Sequence, residues 1–465
     1  MKLAVSVVFI FLITTTTQNQ LRNVQQIERR FGVALEAILG VGIRLQVLLD
    51  DPSVDTQRNF LVSPLSITLL ISQLMLGADE GFRAELYNLL SLPHNNDHKH
   101  AVIKYYGNYG NKTFKVPYAK LHSQMGNLLR ELKKNDFTKT FTLNCSSGLF
   151  YNAELKLLDT FQHNLHIYET EIQALNFSTD PVTSQKVINS WAAEQTKGVI
   201  KTILPLALPK STAAIFTNAV YFKADWEMPF SYELNMVAPF RTSLQKTVDV
   251  EYMQRVFENM YYADNPQLGC KVVKVPYKND DVAMYFLLPN VQDGKEYNIR
   301  KFTENLKAKE ILQLLSQLKR SKVALQVPKF KISNSLSILN PLQRYRVFQK
   351  LYRTQLKSAQ SGDPIDTIET RIDLFNALNT TEKMEIELSE ATENQLLKVS
   401  NIFQEVSISV DEKGTEAAAI TASIIDYIGG TKSVRLDRPF AFIIRHEITS
   451  ATLFWGTVVD PTQVI

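Results

Sequence analysis

The sequence predicts one large α+β domain. Helical patterning fills much of its first half, strand-like runs dominate the rest, and no Gly/Ser- or Pro-rich linker or fixed-period repeat divides it. With 465 residues, 45% of them hydrophobic and 21% charged, the chain can bury a sizeable core. The first segment, MKLAVSVVFIFLITTTTQNQ, has Lys2, an apolar run from Leu3 to Ile13 and then small polar residues. That run suits a secretory signal and is too short to span a bilayer, so residues 1–17 are expected to be removed and 18–465 to form the domain. Ser63 and Pro64 then open a helix that runs through Leu65, Leu69, Leu70, Leu74 and Leu76 and stops at Gly77. Further helices are expected over Asn127–Lys134 and Ser184–Gln195. Strands are expected at AAIFTNAVYF, CKVVKVPY, VAMYFLLP, KVALQVPKF, FAFIIRH and ATLFWGTVV.

A formal charge of +4 is small for this length and unlike the basic balance of a dedicated nucleic-acid binder. After Ile13 no apolar run approaches the length of a membrane span, so the mature protein is expected to be soluble, extracellular and free of membrane. Four Asn-x-Ser/Thr sequons, at Asn111, Asn144, Asn176 and Asn379, suit a secreted route as glycosylation sites. Only two cysteines occur, Cys145 and Cys270. A secreted chain of this size therefore relies on its core rather than on a disulfide framework, and whether the two pair stays open.

A search for catalytic constellations comes back empty. The chain has no Gly-x-Ser-x-Gly elbow, His-Glu-x-x-His helix, phosphate loop or Cys-x-x-Cys pair. His446-Glu447 begins like a zinc helix, but Ser450 stands where the second His belongs, and the run around it is strand-like. His94, Asp97, His98 and His100 read as a solvated polar loop rather than a metal site. No enzyme activity, metal or cofactor is expected.

One stretch poses a physical problem. EVSISV, Glu405–Val410, alternates as a half-buried strand, and DEKGTEAAAITASII, Asp411–Ile425, keeps alternating behind it. Read as one strand, those residues would extend for roughly 70 Å, several times the usual strand length. Thr415, Ala417, Ala419, Thr421 and Ser423 would share one face, all small until Ile425. Glu416, Ala418, Ile420, Ala422 and Ile424 would share the other.

The sequence resembles the serpin superfamily over nearly all of the mature chain. The likeness rests on NFLVSPLSI (Asn59–Ile67), INSWAAEQTKGVI (Ile188–Ile200), TNAVYFKADWEMPF (Thr217–Phe230), VPKF (Val327–Phe330), DEKGTEAAA, and DRPFAFIIRH through FWGTVVDPTQ, all in this order. It implies an α+β fold of three β-sheets and about nine helices, with an exposed reactive loop over about 412–433. It also resolves the overlong strand. EVSISV already belongs to the main sheet, and the segment behind it waits outside until a protease cuts the loop, then enters as a new strand. The implied hinge is Glu412, Gly414, Thr415, Glu416, Ala417, Ala418 and Ala419, with Gly414 supplying backbone freedom. Under the sheet the resemblance gathers Asn59, Ser63, Ser66 and Asn218 around Gln404, where inhibitory relatives usually carry His. Ala441 replaces a larger apolar residue, a packing variation.

The implied function is that of a monomeric suicide inhibitor of an extracellular serine protease. The alternative is a carrier or storage protein that does not inhibit. The scissile bond follows the residue fourteen places after Gly414 and eleven before Pro439, and both counts reach 428. Cleavage is expected between Ile428 and Gly429, favouring an elastase-like target. Tyr427 would suit a chymotrypsin-like enzyme and Lys432 a trypsin-like one. An insert over about 344–368 looks additional to the family pattern, and it begins RYRVFQKLYRTQLKSAQ. Arg346, Lys350, Arg353 and Lys357 in it share one helical face, and Tyr345, Phe348, Tyr352 and Leu356 another. The basic face is a candidate dock for an anionic glycosaminoglycan or an acidic patch on the protease, and Arg130, Lys133 and Lys134 form a weaker second patch.

Overall fold

In the computed structural model the described residues are 25–46, 58–90, 101–104, 113–116, 118–134, 140–243, 245–290, 298–343, 345–346, 385–393, 396–413 and 431–463. Nine α-helices occur among them: α1 (25–46), α2 (Pro64–Gly77), α3 (Glu80–Leu89), α4 (Ala119–Lys133), α5 (Asp159–Leu165), α6 (Pro181–Gln195), α7 (Ile299–Glu304), α8 (Ala308–Ser316) and α9 (339–343 and 345–346). The strands are β1 (Phe60–Val62), β2 (Ala101–Lys104), β3 (Thr113–Val116), β4 (Phe141–Asn152), β5 (Glu171–Leu175), β6 (Ala214–Ala224), β7 (Met236–Arg241), β8 (Thr247–Asn265) and β9 (Cys270–Pro276). They continue as β10 (Val282–Pro289), β11 (Lys319–Pro328), β12 (Phe330–Ser337), β13 (Glu387–Leu388), β14 (Leu397–Val410), β15 (Lys432–Arg435), β16 (Phe440–His446) and β17 (Ala451–Val458).

The strands form three sheets. One of nine runs β1-β17-β16-β10-β9-β8-β11-β15 with β7 on β8, one of six runs β12-β14-β6-β4-β5 with β13 on β14, and β2 pairs β3 alone. β8 is nineteen residues long and pairs β7 over Thr247–Tyr252, β11 over Tyr252–Tyr262 and β9 over Tyr261–Asn265.

Every residue of α2 is buried, as its all-round apolar sequence requires, and the helix lies between the two large sheets, touching both β17 and β6. Ser63 caps it by accepting from the Ser66 amide, and Pro64 fills the first turn. A second core, built on Phe150, Phe177, Ile188, Trp191, Ile203 and Ile215, packs α6 and the chain behind it onto the outer face of the six-stranded sheet.

Two helices begin earlier than the sequence suggests. α6 starts at Pro181 because Asp180 caps it, accepting from the Thr183 amide at 3.0 Å. α4 starts at Ala119 rather than Asn127. Gly126 reads as a break, yet here it lets a neighbour in: a Cβ at that position would lie 2.8 Å from Ile167 Cγ2. His122 and Gln124 are buried on the same helix and blur its apolar stripe.

His122 is wholly buried, with Nδ1 on the Tyr168 hydroxyl and no partner for Nε2 among the described residues. Burial, with the nearby Arg83 adding to it, lowers its pKa to about 3. The unfolded imidazole takes up a proton near pH 6.5 and the folded one does not, so stability is full above that pH and falls toward pH 3. The expected slope is about 1.4 kcal/mol per pH unit. Urea midpoints from pH 7 to 4.5 should fall less steeply for His122→Gln than for the wild type; equal slopes would refute the assignment.

Candidate functional site: a slot in the six-stranded sheet

β14 and β6 run parallel, pairing from Val399↔Ala214 to Glu405↔Ala219. There they part. β14 continues against β12 through Val410↔Phe330, and β6 against β4 through Ala224↔Phe141, with no further pairing between them. Parallel neighbours leave room, by direction alone, for a third strand antiparallel to both. Residues 406–410 and 220–224 present backbone groups that such a strand would satisfy.

The slot closes again beyond the strand ends. The Trp226 backbone amide donates to the Lys413 carbonyl at 3.0 Å, and its indole Nε1 donates to the Asp411 carbonyl at 2.9 Å. The ring is fully buried and stacks on Tyr277, with centroids 4.3 Å apart and planes 11° apart. Phe230 N donates to the Glu412 carbonyl at 2.8 Å. The Glu412 side chain is 1% exposed, 2.8 Å from Lys329 Nζ, and accepts from Asn235 Nδ2. Burial pulls this carboxyl up, but hydrogen bonds from Lys329 and Asn235 outweigh that and hold it below the usual carboxylate range. Lys329 also pairs with Glu251 at 3.0 Å.

At the fork Gln404 is fully buried and points to the start of α2. Its Oε1 accepts from Ser63 N at 3.1 Å, and its Nε2 donates to Ser63 O at 3.0 Å and to Ser66 Oγ. Glutamine serves here because it donates and accepts at once. Asn218, in register with Gln404, donates to Ser66 O at 2.6 Å, while its Oδ1 and the Thr217 Oγ1 are buried without partners among the described residues. Asn59 does not join this cluster, contrary to the sequence expectation. It donates to Asp460 O at 2.7 Å and accepts from Val459 N at 2.7 Å, tying the start of β1 to the chain behind β17.

Of the hinge, Glu412 is placed as described, and Gly414, Thr415, Glu416, Ala417, Ala418 and Ala419 lie outside the described residues, as do Tyr427, Ile428 and Gly429. Lys432 opens β15 and pairs with Val323. Arg346 is not part of an outward basic face. It turns inward to Glu85 at 3.2 Å and to the Glu385 carbonyl at 2.6 Å, over the Phe82 ring. Lys350, Arg353 and Lys357 lie outside the described residues. Lys133 pairs with Glu169 and Lys134 with Glu131, which neutralises much of the second patch.

Asn176 is exposed directly after β5, as an attachment site requires. Asn144 is not: it lies inside β4 and donates its side-chain amide to Gln195 O at 2.8 Å. Asn111 and Asn379 lie outside the described residues, as does the histidine tract at 94–100. Cys145 and Cys270 are separate buried thiols, and burial pushes both up to about 12. Trp226, Lys329 and Asn235 are site residues that sequence reasoning missed. The first two sit inside motifs that carried the resemblance, TNAVYFKADWEMPF and VPKF, but nothing in those motifs reveals their partners.

Residues 42–461 match the family model described as Serpin (serine protease inhibitor). Human Serpin B3 is 26% identical over 417 residues, covering 87% of this chain and 94% of that protein. The leukocyte elastase inhibitor of Xenopus laevis is 28% identical over 346 residues, covering 73% of this chain and 83% of that protein. Among solved structures, human glycosylated kallistatin superposes with a TM-score of 0.68 at 26% identity, covering 93% of this chain and 98% of its own. Thyroxine-binding globulin in complex with thyroxine superposes equally well, 0.68, at 24% identity over 93% of this chain and 99% of its own, a likeness of fold alone.

Proposed function

The chain belongs to the serpin family, and from that premise we propose that it is a secreted suicide inhibitor of serine proteases, restraining an extracellular proteolytic cascade. The observation that carries this reading is the fit between the slot and the segment behind it. The slot asks for a strand antiparallel to β6 and β14, and the chain leaving β14 reaches a turn at Asp411–Lys413 that can reverse it into that direction. The side chains that would then face the core are Thr415, Ala417, Ala419, Thr421 and Ser423. The target's serine attacks the loop as it attacks a substrate, and insertion carries the acyl-enzyme away before water completes the reaction. About ten inserted residues, at roughly 1 kcal/mol net per backbone hydrogen bond, supply on the order of 10 kcal/mol. That rivals the whole stability of a typical domain, about 5–15 kcal/mol, and is enough to distort a bound protease.

The inhibitor needs no catalytic group of its own, in keeping with the empty motif search. The names of its relatives, among them leukocyte elastase inhibitors, support an elastase-like partner. The apolar run in residues 1–17 supports secretion, and exposed Asn176 supports a glycan. The scissile bond is assigned to Ile428–Gly429. Lys432 is a poor candidate because a cut after it would fall within β15, whose backbone is committed to β11.

Incubation with pancreatic elastase, chymotrypsin and trypsin, followed by a denaturing gel and N-terminal sequencing, tests both statements. A denaturant-stable complex with elastase is expected, releasing a small fragment that begins at Gly429. A fragment beginning at Ser433 would overturn the assigned bond, and cleavage without a complex by all three would favour a carrier.

A further inference from the structure

A cavity of about 360 Å³ opens where β8, β9 and the first residues of β11 meet the chain that follows β6. That volume falls within the range of small-molecule sites, about 300–1,000 Å³. Its apolar wall is Phe257, Met260 and Val275, all buried, with Met228 beside them 43% exposed. Tyr261 adds an aromatic ring with two cations against it: the Arg320 guanidinium lies 5.2 Å and Lys274 Nζ 5.3 Å from its centroid. The charges on the wall are not equally engaged. Lys274 is nearly buried and is neutralised by Asp280 at 2.8 Å and Glu447 at 2.9 Å. Arg320 and Glu227 are exposed, line the same cavity and make no ion pair among the described residues. The turn from β9 to β10 holds Glu227 in place. Asn279 and Asp280 both adopt positive φ there, 65° and 56°, and the Asn279 amide donates to Glu227 Oε2 at 2.8 Å. Tyr261 and, more weakly, Asp280 keep the Arg320 pKa above its usual value. Glu227 acts in turn on Asp280, so these groups stand close together.

We propose that this cavity binds a free α-amino acid with an aromatic side chain. The ring would lie on Phe257, Met260 and Val275, where it leaves water and where methionine sulfur favours an aromatic partner. The carboxylate would take the Arg320 fork, which is planar and can meet it with two hydrogen bonds. The ammonium would take Glu227, because Asp280 is already held by Lys274. Two opposite charges left unpaired beside an apolar hollow fit a zwitterion. A simple acid or a simple amine would leave one of them unanswered. None of these residues lines the slot, so binding does not depend on inhibition.

Isothermal titration calorimetry at neutral pH with L-phenylalanine tests the site. Phenethylamine, which lacks the carboxylate, and 3-phenylpropionate, which lacks the ammonium, are titrated alongside. Saturable binding of L-phenylalanine is expected, with both analogues weaker by about tenfold or more, since each leaves a charged hydrogen bond unmade. Arg320→Gln should weaken L-phenylalanine by a similar factor and leave phenethylamine unchanged. Glu227→Gln should weaken L-phenylalanine likewise and leave 3-phenylpropionate unchanged. Both side chains are exposed, so the analogue that each variant still binds serves as its control of folding. No saturable heat from L-phenylalanine at millimolar concentration overturns the site. Equal affinity for L-phenylalanine and either analogue overturns the zwitterion. An Arg320→Gln variant that binds L-phenylalanine as the wild type does overturns the assigned orientation.

Discussion

If the chain inhibits as proposed, Thr415→Arg is expected to turn it into a mere substrate. In the proposed inserted register residue 415 would come opposite Val410, whose face of the slot also carries Phe222 and Ala224 of β6. All three are buried, 2%, 5% and 3% exposed, and belong to the main core. A hydroxyl there can share a backbone partner, whereas a guanidinium would be stripped of water with no carboxylate to meet it. If that raises the barrier to insertion by about 3 kcal/mol, entry slows on the order of 100-fold and hydrolysis of the acyl-enzyme wins. On a denaturing gel the variant should give cleaved inhibitor and free, active protease where the wild type gives a complex. Complex formation at wild-type stoichiometry would sink the account of insertion along β14.

The second large effect is on the closed end of the slot. Trp226→Ala removes a fully buried indole, its stack on Tyr277 and its hydrogen bond to the Asp411 carbonyl. The expected loss is about 3–5 kcal/mol, measured by urea unfolding of the intact protein. Trp226→Phe separates the contributions in part, because it keeps an aromatic face for Tyr277 while losing the N–H and some of the ring volume. That variant should lose about 1 kcal/mol. A Phe variant as unstable as the Ala variant would mean that the hydrogen bond, and not the stacked ring, holds the strand ends together.

Elements buried on both sides were the most legible from sequence. VAMYFLLP and FAFIIRH are continuous apolar runs because strands covered on both faces have no reason to alternate, and β10 and β16 take their limits unchanged. β14 was harder. It begins at Leu397, well before EVSISV, and a register shift between Val399 and Asn401 interrupts the alternation that would have revealed it. Arg346 was expected to face outward and instead faces inward, while Lys350, Arg353 and Lys357 lie outside the described residues. Spacing says which residues share a side of a helix, and only the arrival of Phe82 and Glu85 from α3 says which side is inside.

The clamp at the closed end was illegible for a similar reason. Lys329 and Glu412 are separated by the whole of β12, α9, β13 and β14, and Trp226 and Asp411 by still more chain. No periodicity links residues so far apart. The Gln404 cluster was partly legible, because Ser63 already stood out with Pro64 as a helix start. The resemblance grouped Asn59 with them, but its side chain follows β1 to the other sheet.

That last contact has a consequence for synthesis. β1 pairs with β17, Phe60 lying opposite Thr457, and Asn59 holds the backbone at Val459 and Asp460. A strand made early on the ribosome therefore waits for a partner translated almost four hundred residues later. At about 5–20 residues per second, that wait is on the order of 20 to 80 seconds. The slot's second wall and the tract proposed to fill it are complete only near residue 425, so for about the last 2 to 7 seconds of that wait both are made while the nine-stranded sheet on the far side of α2 still lacks its final pairing. Which event comes first, docking of β17 or self-occupation of the slot, becomes a race during biogenesis. A nascent chain stalled before Ala451 is the species in which that race would be lost.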